Sequence, residues 1–202
     1  MARIEGTLGS ITTLLTNGRI NDAYTLIRKL FDDILLEIYM DVNLKDKFSL
    51  ENYIVEEVNE WIQGKQRIPK SAKILKYLET SGNTRDLYHL FGWDTYLRKN
   101  RELLDDSVHS NRFHLMLLNC NTVHIEDRER HLKNCEIVLN QLFLLHLSFI
   151  FHLNPQYLMA SNYMDYMEEG VTPPEGSEAW IAPFAQDAFD RVIKPHEKIA
   201  KF

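Results

Sequence analysis

Between Ala23 and Ile38 the apolar residues Ala23, Ile27, Leu30, Phe31, Ile34, Leu35 and Ile38 recur at three- and four-residue spacing. That period lays them along one side of an α-helix, whereas a strand would alternate its faces every second residue. The segment therefore predicts a long helix, with Asn21 as its N-cap and its apolar side in a core. Leu and Ile dominate the apolar residues, while Gly and Pro are sparse at 8 and 6 in 202 residues. Long helices, not a sheet of short strands, are what such a chain builds, and the expected fold class is all-α.

The flanking segments carry the same signal. Ile4, Leu8, Ile11, Leu14 and Leu15 share a helical stripe that the Asn17-Gly18 pair should end, a pair tolerant of positive φ. Ser49 is a candidate cap for a third helix with Tyr53, Ile54, Val58, Trp61 and Ile62 on one face, ending near Gly64. Pro69 and Ser71 reopen a helix through Ile74, Leu75 and Leu78, which Ser81-Gly82-Asn83 closes. From Thr84 the pattern resumes through Leu87, Leu90, Trp93, Tyr96, Leu97, Leu103 and Leu104 toward His109, with a break at Gly92. Residues 119–126 lack a clean period and predict a connection before a long helix from about Arg128 to Leu153. After Asn154-Pro155 comes a Tyr- and Met-rich stretch and a turn at Pro173-Pro174. A last helix is then expected with Ile181, Phe184, Ala185, Ala188, Phe189 and Val192. Residues 1–155 are thus expected to form a helical bundle, with 1–19 packed on it, and residues 156–202 a C-terminal helical extension.

A net charge of -6 disfavours a protein that coats long nucleic acid, because such binders depend on many phosphate contacts. Two cysteines, Cys120 and Cys135, are too few for a disulfide framework, and the start Met1-Ala-Arg-Ile-Glu-Gly lacks a basic-then-apolar leader pattern. A cytoplasmic setting is the expectation. The apolar run Ile137–Leu153 is interrupted by Asn140, Gln141, His146, Ser148 and His152, so it predicts a central buried helix, with no membrane partner.

The candidate chemistry lies in Arg101-Glu-Leu-Leu-Asp-Asp-Ser-Val-His109-Ser-Asn111. A histidine titrates near pH ~6.5 and can pass a proton at neutral pH, while a guanidinium can hold a phosphate. Between Arg98 and His114 the cations Arg98, Lys99, Arg101 and Arg112 slightly outnumber Glu102, Asp105 and Asp106, a weak lure for an anion. The alternative is a helix end at which His109 only satisfies backbone groups.

The helix AYTLIRKLFDDILLEIY, followed much later by ELLDDSVHSN and a long apolar helix, resembles HEPN-superfamily domains, the higher-eukaryote and prokaryote nucleotide-binding helical domains. The resemblance covers roughly residues 20–155. It implies a bundle of four or five helices, frequently dimeric. In the active branches it implies a metal-independent RNA endonuclease of toxin–antitoxin and antiviral defence systems, needing no cofactor and no metal. RNA or a nucleotide, a second copy of the chain, and an antitoxin or defence protein are the partners it implies. Active branches carry Arg, four to six residues, then His. His109 matches the histidine, with Asn100, Asp105, Ser107 and Asn111 as polar company that would orient substrate. Arg101 departs from the pattern, because seven residues separate it from His109.

On a continuous helix that separation is a rise of roughly 12 Å and a turn of about 80°, so the two side chains would not meet at one phosphate. A helix irregularity near Asp105 and Asp106, a site composed across a dimer, or Arg112 acting from the other side of His109 would each restore one. If the chemistry is present, the 2′-hydroxyl attacks the adjacent phosphorus, His109 serves as acid or base, and Arg101 or Arg112 stabilises the developing charge. If it has been lost, the chain is an inactive helical module that binds a partner protein or a nucleotide.

Other constellations compete less well. Cys120, His124, His131 and Cys135 form two i,i+4 pairs that could close a zinc site, although not at the usual spacing, and buried free cysteines are common. His146 and His152 fit bundle positions, and His114 a rim or cap. Asp32, Asp33 and Glu37 could meet Glu136 at a metal, but a solvated helix face explains them better. No Walker loop, nucleophile elbow or His-Glu-x-x-His pair is present, which disfavours nucleoside triphosphatase and serine or zinc hydrolase chemistry.

Overall fold

The structure is a computed structural model and describes residues 2–92, 97–120, 122, 125–177 and 180–200. The fold is all-α, with no strand among the described residues and only two isolated bridges, Ser49 with Asn52 and Met159 with Ile181. The chain divides into two compact units, 1–142 and 143–202.

In the first unit α2, Ile20–Lys47, is the organising element. Its predicted stripe is buried from Ala23 to Ile38, and past Ile34 the burial extends round the helix to Leu36, Tyr39, Met40, Val42 and Asn43. Helix α1, Ala2–Thr16, lies along it, with Ile4 and Ile11 turned inward. A Schellman turn ends α1 as the sequence predicts. Gly18 takes φ 71°, its N–H bonds Leu15 O at 3.0 Å, and the Arg19 N–H bonds Leu14 O at 2.9 Å.

Helices α3, Glu56–Ile62, and α4, Ser71–Thr80, also pack on α2, the latter through Ile74 and Leu78. Helix α5, Arg85–Phe91, stops at Gly92 with φ 58°, the break expected there. Trp93 and Tyr96, expected to continue its stripe, lie outside the described residues. Helix α6, Arg98–Val108, and a short α7, Phe113–Leu117, complete the shell around α2. The long helix α8 spans Arg128–Leu153, as its pattern predicts.

In the second unit the end of α8 leads to a 3-10 turn, Pro155–Leu158, and to α9, Ser161–Glu168. Helix α10, Pro183–Ala188, runs into a π turn over Phe189–Ile193, and α11 is Glu197–Ala200.

Four expectations need correction. Asn21 is not the cap of α2: the helix begins one residue earlier, and Asn21 sits in its first turn. Ser49 caps no helix. Its Oγ accepts the Asn52 N–H at 3.1 Å in a tight turn, so α3 starts only at Glu56 and Tyr53 and Ile54 are exposed. Ile181 is not helical but pairs with Met159, where Ala182 N–H bonds Leu158 O at 2.8 Å, and Pro183, which has no N–H to lose, opens α10. Finally, the interruptions in the Ile137–Leu153 run do not by length and composition rule out a membrane span for α8. Among the described residues it is the one helix long and apolar enough to cross a membrane, because none of its interrupting residues is Asp, Glu, Lys or Arg, although 44% of its most apolar stretch is buried within the protein.

Candidate functional site

Helix α6 turns Leu104 and Ser107 toward α2, and Ser107 is only 2% exposed. A buried hydroxyl must find a partner, and Ser107 donates its proton to Asn21 Oδ1 in the first turn of α2. One residue further along α2, the backbone is capped from a distance. Asn119, after α7, accepts the N–H groups of Asn21 and Asp22 on its Oδ1 at 3.0 and 3.2 Å and returns its amide to Asp22 Oδ1 at 2.8 Å. Arg128, at the start of α8, donates to the carbonyl oxygens of Gly18 and Cys120. The polar residues at this corner thus tie α6, α7 and α8 to the α1–α2 turn.

The acidic residues of α6 are engaged by arginines. Arg28 of α2, mostly buried, donates Nε–H to Asp105 Oδ1 at 2.5 Å and pairs with Asp32 of its own helix. Burial opposes its charge, but the bonds to Asp105 and Asp32 outweigh that cost and hold Arg28 above its usual pKa. Arg101 pairs with the other oxygen of Asp105 at 3.6 Å. Arg112 pairs with Asp106 at 2.8 Å, and the Asn111 amide donates to the same carboxylate at 3.2 Å. Asn100 donates to Gln141 Oε1 on α8.

His109 is the C-cap of α6, exposed, and its ring has no partner among the described residues. The helix closes around it with a Schellman pattern. Ser110 N–H bonds Ser107 O at 3.3 Å and Asn111 N–H bonds Asp106 O at 3.0 Å, which places Ser110 at φ 52°, the one non-glycine positive φ among the described residues. Helix α6 is regular up to Val108, so the irregularity that would swing Arg101 toward His109 is absent. The structure brings Arg101 to Asp105, Arg112 and Asn111 to Asp106, Ser107 to Asn21 and Asn100 to Gln141. No bond joins any of them to the His109 ring.

His131 and Cys135 lie one turn apart on α8, both buried against Tyr24. The Tyr24 hydroxyl donates to the His131 carbonyl at 3.0 Å and lies 3.1 Å from its Nδ1. Burial pushes the Cys135 thiol up to about 12, which keeps it protonated and a poor metal ligand. His124 lies outside the described residues, and among those described no three His, Cys, Asp or Glu residues are placed to hold a metal ion. Asp33 pairs with Lys29 at 2.6 Å and Glu136 with Lys133 at 2.7 Å.

Sequence reasoning missed Arg28, Asn119 and Gln141. Arg28 sits within the strongly patterned α2, but a pairing 77 residues away along the chain leaves no local signal. Asn119 lay in a stretch whose lack of period marks a connection and nothing more. No family model matches the chain, and neither a curated protein nor a solved structure does.

Proposed function

We propose that the chain is a HEPN-like helical module that acts by binding and not by cutting RNA, and that it dimerises through the α6–α7 corner. The observation that carries this is the continuity of α6. With the helix regular to Val108, Arg101 stands about two turns behind His109 and is held by Asp105, while Arg112 is held by Asp106. A phosphate arriving at His109 would find both guanidinium groups of the motif already paired with carboxylates, the reverse of a site built to stabilise negative charge. Val108, Phe113 and Met116 are exposed around the same turn, Phe113 by 73%. Aromatic, Met and Arg side chains at one corner are the composition of an interface core, and dimers are frequent in the superfamily that the chain resembles.

A second reading keeps one observation in its favour. His109 is exposed and unengaged among the described residues, so two copies meeting at this corner would bring two imidazoles together. Each could then take one of the two proton transfers of a metal-independent endoribonuclease, acting in a toxin–antitoxin or antiviral defence setting with RNA as substrate.

Sedimentation at micromolar concentration tests the interface. The parent chain is expected to be a dimer and Phe113→Ser, at an exposed position, a folded monomer. A parent chain that sediments as a monomer, or a Phe113→Ser variant that stays dimeric, contradicts the assignment of this corner.

A further inference from the structure

Between Ile62 and Lys76 the chain carries five cations, Lys65, Arg67, Lys70, Lys73 and Lys76, and no carboxylate, in a protein whose net charge is -6. The first three lie in the connection between α3 and α4. All three are exposed, and among the described residues no carboxylate pairs with them. Two aliphatic side chains here lie in water, Ile62 at the last position of α3 by 70% and Ile68 in the connection by 51%. Its shape is fixed by the Gly64 turn, where φ is 70° and the Lys65 N–H closes onto Glu60 O at 2.9 Å, and by Pro69 just before α4.

Exposed cations interspersed with exposed isoleucines answer two needs at once. Anionic headgroups attract Lys and Arg close to a bilayer surface, and the apolar side chains between them gain by entering the headgroup–acyl boundary. The long Lys and Arg stems can follow the isoleucines inward while their charged ends stay at the phosphates. A nucleic acid would satisfy the charges only. Single-strand binders hold bases on aromatic platforms, and residues 62–76 contain no Phe, Tyr or Trp.

We propose that the end of α3 and the α3–α4 connection, residues 62–70, form a peripheral docking site for an anionic lipid surface. This goes beyond the dimer module above, uses different residues, and replaces the sequence-based expectation of no membrane partner.

Co-sedimentation with vesicles of phosphatidylcholine plus phosphatidylserine, against phosphatidylcholine alone, tests it. The parent chain is expected to bind the anionic vesicles only, less at high salt. Lys65→Gln, Arg67→Gln and Lys70→Gln together should weaken binding roughly 10- to 100-fold. Ile62→Ser with Ile68→Ser should weaken it several-fold with the charges intact. These positions are exposed, so unchanged circular dichroism and melting are expected of both variants. No binding by the parent, or equal binding by the parent and either variant, overturns the proposal. So does binding of single-stranded RNA, but not of vesicles, that the charge variant loses.

Discussion

His131 is held in its neutral form by its surroundings. Burial against α2 lowers its pKa first, Arg130 and His114 add to that, and Asp127 opposes them. In the unfolded chain the ring would titrate near ~6.5, above its folded value, so the unfolded state binds the proton more readily. The stability that neutral His131 contributes is therefore complete above that unfolded value and erodes as pH falls toward the lowered folded one. Urea unfolding across this window should show the parent losing stability on acidification more steeply than His131→Gln. Equal slopes would mean that His131 is not the titrating group. Tyr24 belongs to the same cluster, its phenol pushed up by burial, so it stays a neutral hydrogen-bond donor to the His131 carbonyl.

Helix α2 shows how an element can be legible in its body and hidden at its end. Its apolar period announced the helix and its buried side, because period-3.6 burial is written in local residue order. Its start was misplaced because the side chain that caps it is not local. Asn21 has the right chemistry for a cap, yet its Oδ1 is taken by Ser107, and the first-turn N–H groups are satisfied by Asn119, 98 residues away along the chain. Substituting Asn119→Ala should cost about 1 kcal/mol of stability, the usual price of a lost cap, and lower the melting temperature. Hydrogen exchange at the N–H groups of Asn21 and Asp22 should rise more than in the middle of α2. An unchanged melting temperature with unchanged exchange would show that water replaces the Asn119 amide without loss. The end of α6 illustrates the same limit, since Ser110 adopts a left-handed turn that glycine usually marks.

For the whole molecule, the all-α class and the long α2 and α8 were readable because apolar periodicity is a property of neighbours in sequence. The candidate site was readable only as a list of suitable residues. Asn100, Arg101, Asp105, Ser107, His109, Asn111 and Arg112 stand together in sequence, but what Asn100, Asp105 and Ser107 do is set by Gln141, Arg28 and Asn21. Those pairings are decided by how helices cross, and residue order does not record them, whereas Arg112 and Asn111 find Asp106 within the same helix end. The structure turns Asn100, Asp105 and Ser107 into fastenings between helices and leaves the His109 ring exposed and without a partner among the described residues. Incubating the parent chain and its His109→Ala variant with mixed RNA in excess chelator tests this division most directly. The account predicts intact RNA from both proteins, with both folded. Cleavage by the parent alone, leaving 2′,3′-cyclic phosphate ends, would contradict it and make His109 a catalytic residue.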